Sequence, residues 1–394
     1  MKSSSLVIAF SALGLAGLMA VPAWAAKSTV DTPTRTTTLT RRHIQAEWHA
    51  DVSHQHKRYV RVDSRRRHGS QPATERLFND QTFGDTVLGE DPIVRRAALD
   101  ALGGMHGTVV VINPNNGRIL AMVNQRLALS SGAEPCSTIK LSVGLAALEE
   151  GIVRRDTPVD LGGHNRVTLT EALAHSNNLY FATLGNRLGF ARVRRYAREF
   201  GLGELAGYGI AGEHLGTYPD HVLPEKLGGV GRMCSFGQSI SMTPLQLGAL
   251  VSAIANGGTL YYLQHPQTPL TIAAFRPRIK RRLDIGPWIP QMTSGMAGAV
   301  NFGTARSLRI NFKAFPVFGK TGTCSSGGTH FGWFASYADT PSGRLVAVFF
   351  LESGRPTSGP KAADLAGLFY RNLEDHSYFA AKTDSVADEP RSGM

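Results

Sequence analysis

The stretch Pro135-Cys136-Ser137-Thr138-Ile139-Lys140 decides how the rest of the chain is read. Residues 141–150 behind it are apolar, Ala-rich and free of proline, and Gly151 follows as a stop signal, so they are expected to be helical. Pro135 marks where an extended approach gives way to that helix. Ser137 then falls in the first turn, with Lys140 one turn later on the same face. A serine hydroxyl is a poor nucleophile until a base comes within hydrogen-bond reach, and a lysine whose pKa is lowered by burial can be that base. The free N–H groups and positive dipole end of the helix suit a developing oxyanion. Alone the pattern says little, because Ser-x-x-Lys is expected by chance roughly once in a chain of this length.

The 394 residues are 42% hydrophobic and 18% charged, which is the balance of a globular protein with room for one large or two medium domains. The 43 glycines fit a sheet with many tight turns. The formal charge of +12 raises the question of nucleic acid, but much of the excess lies in one N-terminal stretch, and no nucleic-acid partner is expected. Residues 1–25 read as an export signal: Lys2, an apolar run over 6–21, and Ala23-Trp24-Ala25 as a cleavage site. The run is nearly long enough to span a bilayer, so an uncleaved anchor is the alternative. Either way the remainder is expected to be exported, in the periplasm or on the outer face of the cytoplasmic membrane. Cys136, Cys234 and Cys324 would then sit in an oxidising compartment.

Residues 26–90 are polar and rich in Thr, Arg and His, with no sustained period, and read as a basic, mostly disordered tether. Its Arg41-Arg42 and Arg65-Arg66-Arg67 clusters are suited to anionic lipid or wall polymer, a solvated arm being the plainer reading. The five histidines from His43 to His68 lack the spacing of a helical metal site, and no metal is expected. A domain is expected over residues 91–374, opening on the cap pair Asp91-Pro92. Residues 107–124 read as a hairpin turning at Asn113-Pro114-Asn115-Asn116-Gly117. Capping boxes start helices at Thr168 and Thr243, and a glycine-rich loop is expected over 228–237. Residues 314–323, 329–337 and 344–351 read as three consecutive strands, 361–373 as a closing helix, and 375–394 as a disordered tail. The fold class is therefore α/β of the α+β type: an antiparallel five-stranded sheet built from both ends of the domain, helices on both faces, and an all-helical insert.

Three short patterns now converge: Ser137-Thr138-Ile139-Lys140, Ser176-Asn177-Asn178 and Lys320-Thr321-Gly322-Thr323. A Lys-Thr-Gly triplet alone is expected by chance on the order of 0.1 times here, and order and context reduce coincidence further. From about Asp91 to Leu373 the chain resembles the penicillin-binding protein transpeptidase superfamily, the serine acyltransferases and β-lactamases that share these three motifs. Residues 236–240, Thr243-Pro244-Leu245-Gln246, Gly303-Thr304-Ala305 and Trp333-Phe334 are also similar to that family. There are departures. Cys136 and Ser239 stand where the family usually has glycine, no glycosyltransferase signature precedes Asp91, and no deacylating glutamate loop of class A β-lactamases is recognisable.

The resemblance implies roles. Ser137 attacks a carbonyl and Lys140 takes its proton; Ser176 relays a proton to the leaving amine; Lys320 attracts a substrate carboxylate. Asn178, Thr321, Gly322, Thr323 and Gln238 line the substrate site, and the backbone N–H groups of Ser137 and Thr323 form the oxyanion hole. The implied substrates are peptidoglycan stem peptides and β-lactam antibiotics, with the membrane surface or polymerase and division proteins as candidate partners. Neither metal nor organic cofactor is implied. A D,D-transpeptidase is the leading reading, with a carboxypeptidase or β-lactamase, and a non-catalytic sensor or scaffold, as alternatives. Trp333, Phe334, His175 and His330 read more simply as packing or neighbouring residues. If Ser137 and Thr323 do share one oxyanion, their flanking residues Cys136 and Cys324 come within disulfide range, and some carbapenem-hydrolysing class A β-lactamases bridge the matching positions. Three free thiols are the alternative.

Overall fold

Asp91 accepts hydrogen bonds from the N–H groups of Ile93 and Val94, and Pro92 takes the first helical position, so helix α1 spans Pro92–Leu102. The computed structural model describes residues 81–354 and 356–380; the export signal, residues 26–80 of the tether and residues 381–394 lie outside these. Strands β1 (Gly107–Asn113) and β2 (Arg118–Val123) form the hairpin. A 3₁₀ turn over Cys136–Ile139 leads into α2 (Lys140–Glu149). The helical insert carries α3 (Leu169–Ala174), α4 (Asn178–Leu188), α5 (Phe190–Glu199), α6 (Gly229–Phe236) and α7 (Pro244–Ala255). Then come α8 (Ile289–Asn301), β3 (Val317–Ser326), β4 (Thr329–Thr340), β5 (Gly343–Ser353) and α9 (Gly359–Asp375).

The five strands make one antiparallel sheet in the order β2-β1-β5-β4-β3. Pairing of β1 with β5 zips the first and last parts of the domain together and leaves β3 at the edge. Successive side chains point to opposite faces. Val110, Ile112, Val348 and Phe350 enter a core shared with α2 and α7, while Val109, Val111, Ala347 and Phe349 enter a second core shared with α1 and α9. Because helices cover both faces, β1 and β5 are apolar almost throughout rather than alternating. Each fully buried Phe on β5 contributes roughly 1.5–3 kcal/mol.

Four expectations are corrected. The insert is not all-helical: Val159–Asp160 pairs with Arg166–Val167, and Thr259–Tyr261 with Ile279–Arg282, as two small antiparallel sheets, because β-branched and aromatic residues there find extended partners. Residues 228–237 are not a loop: all but their ends form α6. Small residues let that helix settle on α4, where a Cβ on Gly185 would fall 2.5 Å from the sulfur of the buried Cys234. This contact outweighs the poor helix propensity of its glycines. The packed chain also begins before Asp91. Arg95 pairs with Asp85 and Glu90 at 2.8 Å each, and these carboxylates are only 3% and 1% exposed. Packing continues past Glu374 as well, with Phe379 buried against Phe312 and Phe315. A paired acidic cluster and one aromatic ring thus hold segments whose composition is polar.

Candidate active site

The 3₁₀ turn brings Ser137 to the mouth of α2 and points Lys140 inward. Lys140 is fully buried, and its Nζ meets four oxygens: Ser137 Oγ at 3.0 Å, Ser176 O at 2.8 Å, Ser176 Oγ at 3.0 Å and Asn178 Oδ1 at 2.6 Å. The Ser176 carbonyl and Asn178 Oδ1 can only accept. A neutral amine has two hydrogens for those two and a lone pair left for a hydroxyl. Burial, and after it the charge of Lys320, lower the pKa of Lys140 to about 6. The geometry and the lowered pKa agree on a base rather than a permanent cation.

Ser176 is held by local chain chemistry. The Thr168–Glu171 capping box starts α3, and the helix ends at His175. Ser176 takes a left-handed φ of 56°, and Asn177 then caps α4 by accepting from the N–H of Tyr180. The reversal aims Ser176 Oγ between the two lysines, 3.0 Å from Lys140 Nζ and 2.9 Å from Lys320 Nζ. Lys320 is likewise fully buried, which lowers its pKa to about 7. Neither lysine has a carboxylate partner among the described residues.

Gly322 lets β3 approach the serine turn: a Cβ there would fall 2.9 Å from Pro135 O and 3.1 Å from Thr138 Cγ2. Its place is therefore explained by close packing. A disulfide joins Cys136 to Cys324 with their Cα atoms 5.5 Å apart, tying Ser137 to Thr323 through their neighbours. Trp333 is buried, stacks on Phe350, and donates its indole N–H to Glu134 O at 3.0 Å, so it also anchors the serine turn. Cys136 and Ser239, the two departures from glycine, have φ of 50° and 67°. Both are non-glycine residues in a region that glycine occupies at low cost.

The remaining candidates are placed as follows. Thr323 is exposed, and its Oγ1 accepts from Gly359 N–H at 2.8 Å. Thr321 is nearly buried, and its hydroxyl lies 2.6 Å from that of Thr304. Asn178 gives its oxygen to Lys140 and keeps its NH₂ for other partners. Gln238 does not meet the lysines; its oxygen accepts from Arg232, although Gly237 beside it packs on Pro135. His330 bonds Ser325 Oγ at 2.7 Å, away from the lysines. Thr304, whose N–H donates to Ala174 O at 3.0 Å, links the Ser176 turn to β3. It received no role from the sequence, and the only signal was the Gly303-Thr304-Ala305 match. Among the described residues, no cluster of His, Cys, Asp and Glu could hold a metal ion, and no helix is long and apolar enough to cross a membrane.

Residues 107–370 match the family model of the penicillin binding protein transpeptidase domain. The chain is 30% identical over 316 residues to Stage V sporulation protein D of Bacillus subtilis, covering 67% of this chain and 48% of that protein. It is 26% identical over 291 residues to the peptidoglycan D,D-transpeptidase FtsI of Escherichia coli K12, covering 65% and 46%. In fold it is similar to penicillin-binding protein A of M. tuberculosis, solved as an imipenem acyl-enzyme complex, with a TM-score of 0.60 and 22% identity over 72% of this chain and 78% of that one. The chain spans about half the length of the curated relatives it matches.

Proposed function

This chain belongs to the penicillin-binding protein transpeptidase domain family, and from that premise we propose that it is a peptidoglycan D,D-transpeptidase acting by acyl transfer on stem peptides ending in D-Ala-D-Ala. The observation that carries the reading is a buried, weakly basic Lys140 within 3.0 Å of both Ser137 Oγ and Ser176 Oγ. In the first half-reaction Ser137 Oγ attacks the carbonyl of the penultimate D-alanine, and its proton moves to Lys140. The carbonyl oxygen gains charge between the N–H groups of Ser137 and Thr323, each such donor being worth roughly 3 kcal/mol. As the C–N bond breaks, Ser176 hands the leaving amine a proton and is resupplied from Lys140. Lys320 and the Thr323 hydroxyl receive the terminal carboxylate, with Thr321 behind them, while the Asn178 NH₂ donates to the substrate backbone. An amine of a second stem then takes the acyl group.

The same reading places the domain outside the cytoplasm, delivered by the signal over residues 1–25, in the periplasm or on the outer face of the membrane. β-Lactams would acylate Ser137, and a polymerase or division protein would supply the nascent strand. The test is to incubate the mature protein with a labelled penicillin and follow the adduct over time. Mass spectrometry should place it on Ser137, and it should persist for many minutes, because among the described residues neither lysine contacts a carboxylate that could direct water to the ester. Ser137→Ala should fold and remain unlabelled. An adduct on another residue would sink the mechanism, and release of hydrolysed drug within seconds would move the assignment to a β-lactamase.

A further inference from the structure

A cleft of about 520 Å³, bounded by His175, Phe302, Thr304, Arg306 and Ser307, adjoins the reacting groups. Two links connect it to them. His175 directly precedes Ser176, whose hydroxyl lies between the lysines. Thr304 Oγ1 is 2.6 Å from Thr321 Oγ1. In the reaction proposed above, on which this inference rests, Ser176 meets the leaving amine and the Lys-Thr-Gly segment holds the leaving carboxylate. The cleft therefore lies on the leaving-group side. Microscopic reversibility requires the incoming amine to attack from the position that the departing amine vacated. An acceptor longer than alanine must extend from that position into the cleft.

The chemistry of the walls says what such an acceptor carries. The Arg306 side chain is exposed and forms no hydrogen bond or ion pair with another described residue. A guanidinium is a planar, permanent cation that binds carboxylates through paired N–H groups. Phe302 is 53% exposed and offers an apolar wall to a methylene chain. We propose that this cleft is the acceptor subsite and that Arg306 selects amine acceptors bearing a carboxylate on their extended arm. In the transfer the lone pair of the neutral amine forms the new C–N bond and the C–Oγ bond to Ser137 breaks. One amine proton passes through Ser176 and Lys140 onto Ser137 Oγ, restoring the free enzyme.

The test acylates the full-length protein with a D-alanyl thioester donor and offers D-2-aminoadipate and its side-chain amide in competition. Both meet the same acyl-enzyme, so their product ratio is internally controlled. The wild type should favour the acid over the amide by roughly ten-fold or more, as expected for a charge-assisted hydrogen bond. Arg306→Ala should bring the ratio to about one, and Arg306→Lys should keep part of it. Equal use of the two acceptors by the wild type, or a preference that survives Arg306→Ala, overturns the acceptor assignment alone. Failure of the thioester to acylate Ser137 overturns the transpeptidase reading and the assignment with it.

Discussion

Ser176 Oγ lies 3.0 Å from Lys140 Nζ and 2.9 Å from Lys320 Nζ, so a single hydroxyl connects two buried lysines. Two ammonium groups this close, both out of water, disfavour each other, and one of them is the more easily neutralised. Lys140 yields first: its pKa is lowered by burial and then by the charge of Lys320. The pair thus sorts itself into a neutral amine beside Ser137 and a cation beside Thr321, which suits the roles of base and carboxylate anchor proposed above.

The rate of acylation by penicillin should therefore follow a bell-shaped pH profile. In the proposed reaction Lys140 acts when neutral, so the rate should rise as pH climbs through about 6. In the same reaction Lys320 acts when charged, so the rate should fall as pH climbs beyond about 7. Because the groups share Ser176, the two limbs belong to the pair. Second-order acylation constants across the range would check this. A rising limb near the ordinary lysine value of about 10.4 would contradict the assignment of Lys140 as base.

Replacing Lys140 by arginine keeps the positive charge and removes the base, since a guanidinium does not deprotonate in proteins. Acylation should fall by about 10²–10⁴-fold, the usual contribution of a positioned base, with the reversible binding of penicillin reduced far less. Stopped-flow acylation at saturating drug separates the two. A variant that acylates at close to the wild-type rate would show that the proton leaves by another route.

The local parts of this fold were the legible ones. Asp91-Pro92, the Thr168 and Thr243 capping boxes and the Asn-Pro-Asn-Asn-Gly turn act within a few residues, and each structures its own segment. The order of the three motifs was legible because serine acyl transfer restricts the residue types that serve it. Helix α8 was not, since Pro290, Thr293, Ser294, Gly295 and Gly298 obscure its period, and it is held by packing of Met292 and Met296 into the core. The Thr304–Thr321 contact was silent too: it joins residues 17 positions apart through tertiary structure. The φ of Cys136 and Ser239 follows from the turns they occupy, and only the comparison with glycine in the family hinted at it.

Ser239 offers a direct measure of that strain. It is exposed, at φ 67°, where an L-residue is disfavoured by about 1–2 kcal/mol. Ser239→Gly relieves the clash but loosens the unfolded chain, so a net gain of about 0.5–1 kcal/mol is expected. Urea denaturation should show a raised midpoint with an unchanged slope. A lowered midpoint would mean that the serine side chain stabilises the loop beside Gln238 more than its backbone costs.

Cys136 carries a similar left-handed φ, but its side chain is committed to Cys324, and the bridge should form in the exported protein. Thiol counting on denatured, unreduced mature protein should find one free cysteine, Cys234, which is buried and has its thiol pKa pushed up to about 12. Three thiols would rule the bridge out. On the chain-entropy model a crosslink spanning 188 positions stabilises by at most about 5 kcal/mol, so reduction should lower the denaturation midpoint strongly. It should also affect chemistry more than binding. The bridge ties the residue before Ser137 to the residue after Thr323, and so fixes the spacing of the two residues proposed above as oxyanion donors. Cys324→Ser should therefore lower the maximal acylation rate while leaving the concentration of penicillin needed for half-saturation nearly unchanged. A variant that loses affinity and keeps its maximal rate would place the effect of the bridge in the substrate groove instead of the oxyanion hole.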